Sequence, residues 1–241
     1  MTVRNRIREL GIEKRSPSDA RMKYPKQDFI ENSLERAYIL GFRLGDLNSY
    51  KTKKSSDLIV IRCHTTQLVQ VKLMEQLFSP YGHVSITKSI YGYTVNCFLN
   101  KTFAFLLPKH KKAPLYVRKS IARAWAFTAG YVDAEGYFGL NQSKARFKID
   151  SYDVEILNWI VKTCQRDGVH VIFRQIARRG QPQSRIGIFH KDLWRLEINE
   201  ARSILRFIQL VGPFIRHEKR KTDMIICQHN IENRYKKGSI T

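Results

Sequence analysis

Apolar residues recur at helical spacing in two segments that read almost alike. In the first, Leu34, Ala37, Tyr38, Leu40 and Gly41 lead to Asp46. Asn32 can cap this helix while Glu35 reaches back to it, and the apolar residues lie on most sides, which implies burial. The polar stretch NSYKTKKSSD (48–57) reads as a turn between strands, and LIVIRCH (58–64) is rich in β-branched residues, as a strand requires. A helix at about 66–80 carries Leu68, Val71, Leu73, Met74 and Leu77 and ends at Pro80. The runs 84–89 and 93–99 alternate around Ile90-Tyr91-Gly92 as a hairpin does, and the short helix KTFAFLL stops at Pro108. The first half thus predicts the order α-β-β-α-β-β-α.

PKHKKAP (108–114) has the composition of a linker, and the same order then returns. A helix is expected over SIARAWAFTAGYVDA, with strands at about 137–141 and 145–150. A helix from Asp153, a hairpin at 169–176 and 184–190 and further helices follow. Two local matches support a duplication: GFRLGD (41–46) against GYVDAE (130–135), offset by 89, and YGHVSI (81–86) against DGVHVI (167–172), offset by about 86. An internal repeat changes the architecture to expect. The expectation is an α+β chain with a basic N-terminal arm (1–30), a first half (31–107), a linker (108–119), a second half (120–230) and a C-terminal tail (231–241).

Charge sharpens this picture. Lys and Arg number 43 against 21 Asp and Glu, a net +22. Such an excess costs stability by self-repulsion and marks a polyanionic partner, nucleic acid ahead of a membrane surface, since no basic amphipathic helix with a broad apolar face is visible. No run approaches the roughly 18 apolar residues of a membrane span. The charged start MTVRNRIREL lacks the apolar core of a secretory signal, so a soluble intracellular protein is expected. Cys63, Cys97, Cys164 and Cys227 stand far apart with no C-x-x-C pair. Structural zinc is not expected, and free thiols fit a reducing compartment.

Each repeat sets small residues four apart before an acid: Gly41 and Gly45 before Asp46, Gly130 and Ala134 before Glu135. Positions i and i+4 share a helical face, so each helix offers a strip on which another backbone can approach. Packing along those strips would bring the two carboxylates out side by side. Two anions at helix C-termini need a cation, and Mg²⁺, which favours oxygen ligands and often takes one or two carboxylates plus substrate phosphate, is the natural one. It could activate a water and stabilise the leaving oxygen of a phosphodiester. The plainer alternative is that both acids are solvated helix-end residues with glycine caps.

These residues resemble a known motif. Ile39–Leu47 (ILGFRLGDL) and Thr128–Gly136 (TAGYVDAEG) look like the two copies of the motif that names the LAGLIDADG homing endonucleases, in their single-chain form. The second copy keeps Ala129, Gly130, Asp133, Ala134 and Gly136; the first departs at Leu44 and Leu47. The resemblance implies a pseudo-twofold fold with one αββαββα unit per half. The motif helices would form the interface, and two antiparallel four-stranded sheets would make a saddle over double-stranded DNA. It also implies Mg²⁺-dependent, staggered cleavage of both strands of a long site, with Asp46 and Glu135 as metal-binding acids.

The same resemblance expects a basic residue on the strand before the central helix of each half, here Arg62 and Lys148. The alternation Phe147, Lys148, Ile149 independently turns that lysine off the core face. After the last hairpin, GPFIRHEKRK supplies Lys219, with His217, Arg220 and Lys221 as rivals; Lys109 and Lys111 lie near the equivalent place in the first half. Outward-pointing candidates for groove contacts are Asn48, Tyr50, Lys51, Lys53, Thr87, Lys88, Thr94 and Asn96. In the second half they are Asn141, Gln142, Lys144, Arg146, Arg174, Gln175, Arg185 and His190, any of which could instead be an ordinary exposed strand residue. One chain carries both acids, so a monomer is expected. The absence of splicing-type blocks favours an intron-encoded or free-standing enzyme. Two other roles suit the scaffold, an intron RNA maturase and a DNA-binding regulator that does not cut; acids in both copies argue against the regulator.

Overall fold

In a computed structural model, residues 3–12, 23–30, 32–183 and 187–238 are described. After a short helix α1 (Val3–Glu9), the chain forms α2 (Ser33–Asp46), β1 (Asn48–Lys51), β2 (Ile59–Thr65), α3 (Leu68–Phe78), β3 (His83–Ser89), β4 (Gly92–Leu99) and a 3-10 turn (Lys101–Leu106). The short helix α4 (Leu115–Arg118) then leads to α5 (Ile121–Glu135), β5 (Gly136–Asn141), β6 (Lys144–Ser151), α6 (Val154–Arg166), β7 (Ile172–Ala177), β8 (Leu193–Ile198) and α7 (Ala201–Val211). A 3-10 turn (Gly212–Phe214) and α8 (Glu218–Lys236) complete the order. The strands make two antiparallel four-stranded sheets of identical topology, β1-β2-β4-β3 and β5-β6-β8-β7. The duplication expected from the sequence is therefore a duplication of fold.

The two motif helices α2 and α5 lie side by side and run in the same direction. Side chains that would hold them apart are missing where they meet: a Cβ at Gly41 would overlap the Phe127 carbonyl, and one at Gly130 the Tyr38 carbonyl. Backbone therefore rests on backbone, with dispersion contacts that only small residues permit. Asn32 caps α2, its Oδ1 accepting from the Leu34 and Glu35 amides at 3.0 and 3.2 Å. Glu35 does not reach back as expected. The Asn32 amide already donates to the Ile30 carbonyl at 2.7 Å, and Glu35 Oε1 pairs with Arg216 at 3.3 Å, a charged partner that outweighs a satisfied amide.

Alternation along the strands decides which face each sheet buries. Ile59, Ile61, Cys63, Val95, Cys97 and Leu99 join Val71, Met74, Leu77 and Phe78 of α3 in the core, and Phe138, Phe147, Ile149 and Leu196 join Phe207 of α7. The Phe147 and Phe207 rings sit 4.5 Å apart. The alternate residues of each strand point to the opposite face, called the open face below.

Four boundaries differ from the sequence reading. The stretch 48–57 is not all turn, because its first four residues are β1, pairing with β2 from Asn48–Arg62 to Lys51–Ile59. The last strand is Leu193–Ile198, not 184–190. Residues 184–186 of the expected strand fall outside the described residues, and on either side of them the chain makes an isolated bridge, Pro182–Ile188, while LWRLEI supplies the buried positions Leu196 and Ile198. The expected tail 231–241 begins inside α8, whose Ile231 is buried. Residues 24–29 of the expected arm lie against the first half: the Phe29 amide donates to Thr102 Oγ1 at 2.9 Å, and the Phe29 ring packs on Phe103 at 5.2 Å. The linker also holds the helix α4, with Val117 buried.

Candidate active site

Asp46 is the last residue of α2 and Glu135 the last of α5. Because the helices touch at Gly45 and Ala134, the acids emerge together. A Cβ at Gly45 would stand 2.9 Å from Glu135 Cγ and 3.4 Å from its Oε1. Gln70 of α3 donates from Nε2 to Asp46 Oδ2 at 2.8 Å.

Neither carboxyl sits in an ordinary environment. Asp46 presents an exposed edge to solvent, yet the protein around it raises its pKa to about 6; burial dominates, opposed by the charge of Arg220 and the Gln70 hydrogen bond. Glu135 is raised to about 7, again by burial first, then by the nearby charges of Asp46, Asp153 and Asp150, with Arg220 opposing. Two facing acids held toward their neutral forms are what a cation would relieve. Among the described residues no group of three or more His, Cys, Asp or Glu could hold a metal. A metal here would take two protein carboxylates and fill its remaining positions from water and phosphate, the habit of Mg²⁺ rather than of zinc.

The expected basic residues divide. Arg62 and Lys148 occupy equivalent registers, opposite Asn48 and Tyr137, each two residues beyond an acid. Both turn to the open face beside aromatic rings, Arg62 at 5.3 Å from the Tyr50 centroid and Lys148 at 5.3 Å from that of Tyr137. Arg62 also donates to Asn96 Oδ1 at 2.7 Å. Lys219 is engaged elsewhere, 2.6 Å from Asp223 and half exposed. Of the four candidates in that segment, Arg220 is the one whose charge acts on Asp46, Asp133 and Glu135 together. Its side chain is largely buried and its Nε has no partner. His217 is held neutral, its pKa lowered to about 4 by burial and by Arg220 and Lys219.

Asp133 brings Arg220 into range. Buried within α5, its Oδ2 accepts from Tyr38 Oη at 2.6 Å and from the Arg216 and His217 amides at 2.7 and 3.1 Å. One carboxylate thus ties both motif helices to the start of α8. The sequence showed Asp133 only as a motif letter. Gln70 left a fainter signal, a polar residue within the apolar phase of α3.

Register also sorts the candidates for nucleic-acid contact, since directly opposed residues share a face. Asn48, Tyr50, Thr87, Thr94 and Asn96 share the open face of the first sheet with Arg62. Asn141, Lys144, Arg146 and Arg174 share that of the second with Lys148. Lys51 and Lys88 do not; they oppose Ile59 and Tyr93 on the core side, at strand ends where the alternation still holds but burial has run out. Gln175 likewise opposes Trp194. Lys53 lies in the loop after β1, and His190 lies in a bend before β8 because that strand starts later than expected. Gln142 is at the tip of a tight hairpin, where it and Ser143 both have positive φ. Arg185 falls outside the described residues. The second open face also carries acids absent from the lists above: Glu197 pairs with Arg174 at 3.2 Å, and Asp150 is chelated by Arg195.

No family model matches the chain. An uncharacterized protein of Methanocaldococcus jannaschii, MJ0398, is 22% identical over 227 residues, covering 84% of this chain and 76% of the relative. Among solved structures, I-DmoI in complex with DNA and Mn matches with a TM-score of 0.51 at 19% identity, over 74% of this chain and 96% of that one. The homing endonuclease I-WcaI bound to its DNA recognition sequence matches with a TM-score of 0.50 at 12% identity, over 78% and 84%. The α+β fold with paired four-stranded antiparallel sheets is thus shared with the homing endonucleases I-DmoI and I-WcaI. No described helix is long and apolar enough to cross a membrane.

Proposed function

We propose that this chain is a site-specific DNA endonuclease that hydrolyses a phosphodiester in each strand of a long duplex target with the help of Mg²⁺. One observation carries the reading. Two carboxylates, on helices whose backbones touch, meet at one end with their pKa values raised to about 6 and 7 and one largely buried arginine opposing both. A protein that only bound a polyanion would gain nothing by aiming two acids at it. The fold of DNA-bound homing endonucleases and the net charge of +22 support the partner.

In this reading Asp46 and Glu135 would hold the metal, which would supply an activated water and charge stabilisation. Gln70 fixes the Asp46 carboxylate. Arg220 donates to the developing phosphorane charge, and Arg62 and Lys148 flank the centre from the two sheets. Water adds to phosphorus as the bond to the leaving sugar oxygen breaks, and that oxygen takes up a proton. A single copy carries both acids, so a monomer would cut both strands, leaving the staggered ends expected for this fold.

The test is to select duplexes that the purified chain binds from a random library, then incubate them with and without Mg²⁺. Cleavage of both strands only with the metal is expected. Tight binding with intact DNA under every metal condition would instead make the chain a binder.

A further inference from the structure

The segment before α2 takes no part in the chemistry above, yet it is tied to the first half. The Gln27 amide donates to the Tyr81 carbonyl at 2.9 Å, and Asn100 Nδ2 donates to the Gln27 carbonyl at 3.0 Å and to Asp28 Oδ1 at 2.6 Å. Ahead of this anchor, Tyr24 stacks on His83 with centroids 3.9 Å apart and planes 11° apart. His83 continues the stack onto Phe98 at 6.0 Å.

The register says which face this stack belongs to. His83 opposes Phe98, and Phe98 opposes Val60. All three alternate with Cys97, Leu99, Ile59 and Ile61, which are buried in the core, so they lie on the open face. They also lie at its outer end. β1 leaves Asp46 at Asn48 and reaches that end at Lys51, whose partner Ile59 opposes Leu99. The stack therefore carries Lys23, Tyr24 and Lys26 onto the far rim of the face that holds Arg62, Asn96 and Thr94. Lys23 Nζ is 5.4 Å from the Tyr24 ring centroid.

The equivalent end of the second sheet is built differently. Counted from Lys148, the position of Val60 is Arg146 and that of Tyr50 is Gly139, and a cavity of about 410 Å³ opens there, lined by Asn141, Arg146 and Asn199 among others. That rim supplies its own cation and amides. The strands of the first rim offer Val60 and Phe98 on this face instead, and its cations stand on the loop after β1, where Lys53 lies, and on the docked segment.

We propose that residues 23–26 form a phosphate-contacting extension of the first half's open face, lengthening the duplex that the protein covers on that side alone. The inference rests on the DNA reading given above. Stacking of Tyr24 fixes the backbone between the two lysines in advance, so that little ordering entropy is left to lose on binding. Each lysine that neutralises a phosphate adds about 0.9 to the slope of log K against log salt.

The test uses the full chain and a selected duplex, with Ca²⁺ for binding and Mg²⁺ for cutting. Lys23→Ala with Lys26→Ala should flatten the salt slope by roughly 2 and shorten the hydroxyl-radical footprint at one end only. Tyr24→Ala keeps both charges but releases the stack, and should blur the same end of the footprint. Melting curves matching the unaltered chain would show that the fold persists in each variant. An unchanged slope and footprint on DNA that is still bound and cut would overturn the extension and leave the endonuclease reading intact. Failure of the unaltered chain to bind any duplex would overturn both.

Discussion

Asp46 and Glu135 end helices that are near copies of each other, yet the protein surrounds them differently. Asp46 receives a hydrogen bond from Gln70; Glu135 faces the added charges of Asp153 and Asp150. The arginine that offsets both comes from one half only, because Asp133 latches α8 in place and the matching residue of the first motif is Leu44. Duplication supplied the geometry, and divergence made the electrostatics one-sided. A twofold fold can thus hold a centre in which one basic residue serves two acids.

The first way to break this comparison is the largest in effect. Asp46→Asn and Glu135→Gln should each abolish cutting of both strands, since the acids share one centre; a variant that still nicks one strand in a denaturing gel would show that each acid serves its own strand. Arg220→Ala should lower the single-turnover rate by about 10²–10³, the scale of one lost transition-state donor, for both strands alike. Lys219→Ala should leave it nearly unchanged. A loss confined to one strand would separate the halves again.

Smaller effects test the seam. Gly130→Ala drives a Cβ into the Tyr38 carbonyl and should cost about 1–3 kcal/mol, the usual scale of overpacking, read from urea unfolding; Gly41→Ala should match it if the two strips are equivalent. The smallest effect is the dependence of stability on pH. Glu135 and Asp46 are raised in the folded state, so they favour folding while protonated, and without metal that contribution falls as pH rises from about 4 through 6–7. The metal-free chain should lose a few degrees of melting temperature over that window relative to Glu135→Gln, about the size of a 1 kcal/mol change. Mg²⁺ should remove the difference.

How much of this could be read in the sequence follows from the range of the forces involved. Helix spacing, the Asn32 cap and small residues four apart are local, and they gave the motif helices, the seam between them and the meeting of the acids. Alternation placed Arg62 and Lys148 on the correct face. It missed the strand Leu193–Ile198, and it failed at Lys51 and Lys88, where parity outlasts burial. The choice between Lys219 and Arg220 lay out of reach, because the start of α8 is held by hydrogen bonds from the Arg216 and His217 amides to Asp133, 83 residues before Arg216 in the chain. Glu35 was misassigned for the same reason, its partner Arg216 being 181 residues away.

The bare contact between α2 and α5 has a consequence for descent. With carbonyls resting on glycines, no side chain in the closest part of the seam can be exchanged for another, so that part of the molecule has little freedom to drift. The open faces carry no such restriction. Mutation can rewrite them one residue at a time, each half independently, while the acids stay in register. A lineage built this way could change what it recognises without having to relearn how to act on it.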